Sequence, residues 1–361
     1  MSWIQRSTEA DVEKSPPAAD QTVFRGFDPA SVRAALRPLD LVTPCSASAA
    51  EASYFSCYGI DFENRMAGVT HRFGTLAANG YSIACHFYEH RQARGTCVLL
   101  HGYFDHTGLY GHLIEYCLQH GYSVLIWDLP GHGLSNGEQA DIHDFRDYTE
   151  VLAMVLDQLC DSLPTPLLAI GQSTGGAILM NWVFRSNATP SQSPFERIAL
   201  LAPLVRPARW RSVRALHTAV KPFRRAVRRK FMDNSSDRGF LDFVRLDPLQ
   251  SMALPVHWVS AMREWVREFL TRPVTDLAPL VVQGTRDETV DWRWNLKVIR
   301  EKFPRADVHM LDGARHHLVN ETPALRAVVF EALGLGVRDA DAGEDMHETA
   351  GAGAPRAGCS G

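Results

Sequence analysis

The segment Gly171-Gln172-Ser173-Thr174-Gly175 follows an apolar run, Pro166 to Ile170, and leads into a small-residue helical stretch, Gly176 to Trp182. A glycine on each side of the serine permits a cramped turn between a strand and a helix. Such a turn pushes the serine hydroxyl out above the sheet, and the next backbone N–H opens the helix. A serine presented in this way can attack an acyl carbon.

The surrounding text supplies the sheet. Short apolar runs ending in turn residues occur at Cys97 to His101, Tyr122 to Asp128, Pro166 to Gly171, Arg197 to Leu204, Leu280 to Gly284 and Val308 to Leu311, and they read as strands. They are apolar on both faces, as strands buried between two helix layers must be. Ahead of them, His71 to Leu76 and Tyr81 to Tyr88 flank Asn79-Gly80 and read as a hairpin. Between strands, Phe145, Tyr148, Val151, Leu152, Val155, Leu156 and Leu159 recur at helical spacing behind Asp141 and Asp144, two candidate caps. The alternation predicts an α/β fold: a mostly parallel sheet with helices on both faces and its ligand site at the carboxyl ends of the strands.

Two stretches break the rhythm. Residues 206–276 are far longer than a crossover between neighbouring strands needs, so they are expected to be a helical cap, or lid, inserted between late strands. Past Gly334 the chain turns to Gly, Ala, Asp and Glu, too little apolar surface to offset ordering entropy. The expected organisation is an N-terminal extension, loosely attached, over 1–53, the first part of the core over 54–205, the cap over 206–276, the second part of the core over 277–334 and a disordered tail over 335–361.

A serine hydroxyl becomes nucleophilic when a histidine takes its proton, and that histidine needs a carboxylate to hold its tautomer. Asp287 follows the run Leu280-Val-Val-Gln-Gly284, and His316 follows the next run. Glu288 and Asp291 are rival acids and His317 a rival base, but position at the strand end favours Asp287 and His316. The oxyanion formed on attack needs preorganised donors, each typically worth about 3–4 kcal/mol of barrier. The amide of Thr174 is one candidate. The other is that of Tyr103, in the loop His101-Gly-Tyr-Phe-Asp-His106 after the first parallel strand. His132, in Pro130-Gly-His-Gly133, is expected to brace a turn rather than to react.

His101-Gly-Tyr-Phe-Asp-His106, Asp128-Leu-Pro-Gly-His-Gly-Leu-Ser135, Gly171-Gln-Ser-Thr-Gly-Gly176, Gly284-Thr-Arg-Asp287 and Gly313-Ala-Arg-His316 stand in order along residues 68–334. Together they resemble the α/β-hydrolase superfamily in its monoacylglycerol lipase, lysophospholipase and serine aminopeptidase-like branch. The resemblance implies a serine hydrolase with Ser173, Asp287 and His316 as triad, an acyl-enzyme, and monoacylglycerol- or lysophospholipid-like esters as substrates. An amidase, an aminopeptidase or an acyltransferase would use the same triad, and a non-catalytic ligand-binding member would keep only the fold. Where the branch often has His, Met and Glu, this chain has Gln172, Thr174 and Asp105, and His317 stands where an acidic residue commonly follows the histidine.

From Arg206 to Lys230 there are ten Arg or Lys residues and no Asp or Glu, with Trp210, Val213, Leu216, Val220, Phe223, Val227 and Phe231 at helical intervals. This predicts one or two basic amphipathic helices, broken near Pro222, whose apolar stripe packs on the core or touches an anionic membrane surface transiently. Phe240 to Val244 and Trp258 to Trp265 offer apolar groups for an acyl pocket or for the cap's own core. The partner expected is a small acyl ester or lipid, and a net charge of −4 argues against nucleic acid. No cofactor is expected, and no metal, since no H-E-x-x-H or zinc-spaced Cys/His pair occurs. Seven scattered cysteines without C-x-x-C pairing suit reduced thiols. With no signal-like start and no long apolar run, a cytoplasmic protein is expected, peripheral at most to the inner membrane face.

Overall fold

The computed structural model describes residues 24–43, 46–187 and 189–336. The chain begins with two helices, α1 (Pro29–Ala35) and α2 (Ala49–Tyr58), and then forms the hairpin β1 (Val69–Ala78) and β2 (Tyr81–His90). The core continues through β3 (Thr96–Leu100), α3 (Gly111–Gln119), β4 (Ser123–Trp127), α4 (Phe145–Leu159), β5 (Leu167–Gln172), α5 (Thr174–Ser186) and β6 (Phe195–Leu201). Next come the cap elements α6 (Trp210–Val220), β7 (Ala226–Arg228), α7 (Arg238–Leu246), β8 (Ala253–Pro255) and α8 (Val256–Thr271). The chain then returns to the sheet with β9 (Leu280–Gly284), α9 (Trp292–Lys302), β10 (Asp307–Leu311) and α10 (Pro323–Leu333).

The main sheet has the order β1-β2-β4-β3-β5-β6-β9-β10. β2 is antiparallel to both its neighbours, and the strands from β4 to β10 pair in parallel. Every apolar run expected to be a strand is one, with ends moved by turn residues. Strand alternation fills two cores. On β3, Val98 and Leu100 join one cluster with Phe145 of α4 and Ile178 of α5, while Cys97 and Leu99 join the other with Tyr54, Ile114 of α3 and Val329 of α10. Each fully buried Val, Leu or Ile side chain stabilises by about 1.5–3 kcal/mol, so the double layer is what keeps a sheet of this length folded. Helix α4 starts at Asp144, whose side chain accepts from the Arg146 amide at 2.9 Å.

The N-terminal segment corrects an expectation. Its described residues are not loosely attached: Phe27, Val32, Tyr54 and Phe55 are buried, and the Leu39 amide bonds the Thr75 carbonyl of β1 at 2.9 Å. A run rich in Pro, Ala and Ser hid the fact that Phe27 and Tyr54 stack at 5.5 Å. The position 53 boundary therefore falls inside α2. At the other end Leu335 is also packed, 3% exposed. Residues 1–23 and 337–361, which include most of the expected tail, lie outside the described residues.

The cap differs in one detail from two successive basic helices. Helix α6 stops before Pro222, which has no N–H to donate and whose ring clashes with the preceding turn, and the chain resumes as the extended β7. That strand pairs antiparallel with β8, Val227 opposite Leu254. The stripe divides as well. Trp210 and Val213 pack on the core, but Leu216 is 61% and Phe223 83% exposed.

Candidate functional site

Ser173 sits between the end of β5 and the first residue of α5, with φ 53° and ψ −109°. A non-glycine residue held there stores roughly 1–3 kcal/mol of strain. The neighbours hold it: the Ser173 amide bonds the Leu201 carbonyl at 2.8 Å, and the Ser173 carbonyl accepts from Leu204 at 3.1 Å. The flanking glycines are required by close approach. A Cβ on Gly171 would lie 2.5 Å from the Gly175 carbonyl carbon, and one on Gly175 would lie 2.2 Å from the Leu100 carbonyl oxygen. Only hydrogen fits where helix α5 meets β3 and β5.

His316 follows β10 and Asp287 follows β9, and the parallel pairing of those strands brings their ends beside Ser173. His316 Nε2 lies 2.9 Å from Ser173 Oγ, and its Nδ1 lies 2.8 Å from Asp287 Oδ2. The bond to Asp287 places the ring proton on Nδ1 and leaves Nε2 free to accept from the hydroxyl. Asp287 also accepts from Gln283 Nε2 at 3.0 Å and from the amides of Thr289 and Val290 at 2.8 and 3.1 Å. Burial alone would raise the Asp287 carboxyl, but His316 and these bonds outweigh it and hold it below its ordinary value. The rivals lie elsewhere: Glu288 is exposed, and Asp291 pairs with Arg206 at 2.7 Å. His317 Nε2 lies 3.1 Å from Asp105 Oδ2 instead.

Thr174 is the first residue of α5, so its N–H has no partner within the helix. The Tyr103 amide has no protein acceptor among the described residues. Gly102, whose added Cβ would come within 3.4 Å of Ser173 Cβ, lets the two backbones approach. The loop is pinned from below: Asp105 accepts from the Gly102 amide at 3.2 Å and from Tyr110 Oη at 3.0 Å. Burial would raise the Asp105 carboxyl, yet His317, His101 and Tyr110 together hold it well below its ordinary value. His132 bonds the Pro130 carbonyl at 2.9 Å, and burial lowers its pKa to about 3, so it stays neutral and braces its turn as expected.

Above Ser173 opens a cavity of about 290 Å³ that is roofed by the cap. Phe240, Leu241, Val244, Trp258 and Met262 line it. Both segments offered for an acyl pocket thus reach it, while Trp265 turns inward and stacks on Phe145 at 4.8 Å. Tyr103 stacks flat on Trp258, 3.7 Å between ring centres, joining the first loop to the cap.

A family model for serine aminopeptidase, S33, matches residues 91–323. The chain belongs to the serine aminopeptidase S33 family. This S33 hydrolase is similar to phospholipase YtpA of Bacillus subtilis, 31% identical over 86 residues, 24% of this chain and 33% of that protein. The match spans about a third of that relative's length. The monoglyceride lipase of Rattus norvegicus is 24% identical over 271 residues, 71% of this chain and 86% of the lipase. The solved structure of a soluble variant of monoglyceride lipase from Saccharomyces cerevisiae superposes with a TM-score of 0.62 at 17% identity, over 72% of this chain and 93% of that one. The superposition shows that the chain shares the lipase's fold, a mostly parallel α/β sheet flanked by helices.

Two glutamines support the site without having been singled out for it. Gln172 Nε2 donates to the His316 carbonyl at 2.9 Å, fixing the histidine loop, and Gln283 holds Asp287. The signal for Gln283 was there, a polar residue inside an apolar strand. The cap also grips this loop, since the His317 amide bonds the Asn234 carbonyl at 2.7 Å.

Proposed function

We propose that this S33 hydrolase cleaves carboxylic esters of monoacylglycerol or lysophospholipid type through an acyl-enzyme on Ser173. The unbroken line of hydrogen bonds from Asp287 through His316 to Ser173 carries the reading. Ser173 Oγ attacks the acyl carbonyl carbon as its proton passes to His316 Nε2, and the carbonyl oxygen, now negative, is received by the amides of Tyr103 and Thr174. Asp287 stabilises the imidazolium. The intermediate collapses, the alcohol leaves with the proton from His316, and the acyl group stays on Ser173. Water then attacks the acyl carbon, gives its proton to His316 and releases the acid, and the same proton returns to Ser173.

The apolar cavity lining supports a long acyl chain, and the relatives named phospholipase and monoglyceride lipase support a lipid ester. An aminopeptidase would need a carboxylate for the substrate's ammonium group. Among the described lining residues Asp105 is the acidic one, and it is engaged by His317, Tyr110 and Gly102, which favours esters. We also infer that the cap meets anionic lipid surfaces, a reading supported by exposed Phe223 among exposed arginines. Among the described residues, no helix is long and apolar enough to cross a membrane.

The test is hydrolysis of p-nitrophenyl esters and monoacylglycerols beside aminoacyl amides, with fluorophosphonate labelling. Ser173→Ala should abolish turnover and labelling, and Asp287→Asn should lower kcat by about 10⁴-fold through loss of the correct tautomer. Turnover unchanged in Ser173→Ala overturns the reading.

A further inference from the structure

The cavity above Ser173 carries more positive charge than an uncharged ester needs. Arg229, Lys230 and Arg245 line it against the single acid Asp105 among its described residues. Arg245 is neutralised by Asp233 at 3.0 Å and Asp242 at 2.7 Å. Arg229 is different. It follows β7, its guanidinium lies between two aromatic rings, 3.9 Å from the centre of Phe104 and 4.3 Å from that of Phe231. Its Nη1 donates to Gln250 Oε1 at 2.6 Å and to the Ser251 carbonyl at 3.2 Å. Among the described residues no carboxylate pairs with it, and neither its Nε nor its Nη2 has a protein acceptor.

Burial lowers the Arg229 pKa to about 10, against the pull of Asp105, so it remains a cation at neutral pH. A half-buried cation with no carboxylate in direct contact, only Asp105 and Asp247 acting from a distance, is costly to keep. Aromatic faces offset part of that cost and fix the plane of the fork, and its free edge suits a planar or tetrahedral oxyanion. Phe104, the ring it lies on, is the chain neighbour of Tyr103, and Arg229, Phe104, Tyr103 and Ser173 line one cavity. The cation therefore shares the chamber in which the acyl group would be cleaved.

We propose that Arg229 makes the cavity selective for acyl esters that bear an anionic oxygen group, a phosphate or a carboxylate, near the scissile bond. The proposal deepens the ester-hydrolase reading and rests on it. The anion has two sources, a phosphate on the alcohol side or a second carboxylate on the acyl side, and exposed Lys230 adds to the field at the same wall.

Two substrate pairs separate them, each presented as monomers: octanoylglycerol 3-phosphate against octanoylglycerol, and a p-nitrophenyl hemiester of a dicarboxylic acid against the p-nitrophenyl ester of the equally long monocarboxylic acid. The readout is the ratio of kcat/KM within each pair, with active enzyme counted by fluorophosphonate titration. The wild type should favour the anionic member of at least one pair, and that pair identifies the source. Arg229→Met should lower that ratio about ten- to hundredfold, the scale of a hydrogen bond to a charged group, and Arg229→Lys should lower it less. A wild type that disfavours the anion in both pairs, or a ratio that Arg229→Met does not move, overturns the proposal. Should neither variant fold, the wild-type ratios decide. Turnover surviving in Ser173→Ala removes the ester-hydrolase reading itself, whereas Ser173-dependent cleavage without anion preference removes the Arg229 proposal alone.

Discussion

His106 of the core and Asp247 of the cap meet at 2.7 Å, Nε2 to Oδ2, with both side chains fully buried. His106 Nδ1 accepts the Gly108 amide at 3.2 Å, so Nε2 carries the proton and donates it to the carboxylate. The other Asp247 oxygen accepts from Tyr58 Oη at 2.6 Å and from the Leu249 amide at 2.9 Å. One carboxylate thus joins helix α2, the loop after β3 and the cap.

Asp247→Ala leaves three buried donors without an acceptor. Breaking such a buried pair costs about 3–5 kcal/mol, so the urea midpoint should fall with little change in slope. A loss under about 0.5 kcal/mol would show that the cap is anchored elsewhere.

Asp105 gives a dependence on pH. Its folded pKa lies below the ordinary carboxylate value, so the unfolded chain binds the proton first. Its stabilisation is present above about pH 4 and is lost as pH falls through the lower folded value. Asp105→Asn should therefore be less stable than wild type at about pH 6, and the gap should narrow by about pH 3. Urea unfolding at the two pH values measures it, and a gap that widens on acidification contradicts the assignment.

The exposed face of the cap should bind vesicles containing phosphatidylglycerol better than neutral ones, and less well as salt rises. Replacing Arg224 and Arg225 with serine removes two exposed cations worth about 1 kcal/mol each at such a surface, so binding should drop about thirtyfold in a sedimentation assay. Equal binding to neutral vesicles, unaffected by salt, would leave this face without that role.

Much of this molecule was legible from short-range text. Strand ends appear where apolar runs meet turn residues, and a parallel sheet must gather those ends along one rim. Ser173, Asp287 and His316 could be named as neighbours for that reason, though 143 residues separate the first from the last. A helical stretch around Pro29 to Leu36 was legible and is α1, but the packing of the N-terminal segment was not, because its burial depends on Phe27, Tyr54 and Tyr58 finding rings in other segments. The segment's own periodicity says nothing of it. The break at Pro222 was legible, but the strand after it was not, because Val227 pairs with a residue beyond α7.

The sequence by itself determined the α/β order, the tight turn at Ser173 and the strand-end positions of the acid and the base, since each follows from hydrophobic period and turn chemistry within a few residues. Tertiary structure alone decided that Gln172 would hold the carbonyl of His316, 144 residues away, and that one of the eight arginines between 206 and 230 would enter the cavity between Phe104 and Phe231. Those contacts join distant segments, and which of them meet is set by strand order and by how the cap closes over the sheet, neither of which leaves a local mark on the chain.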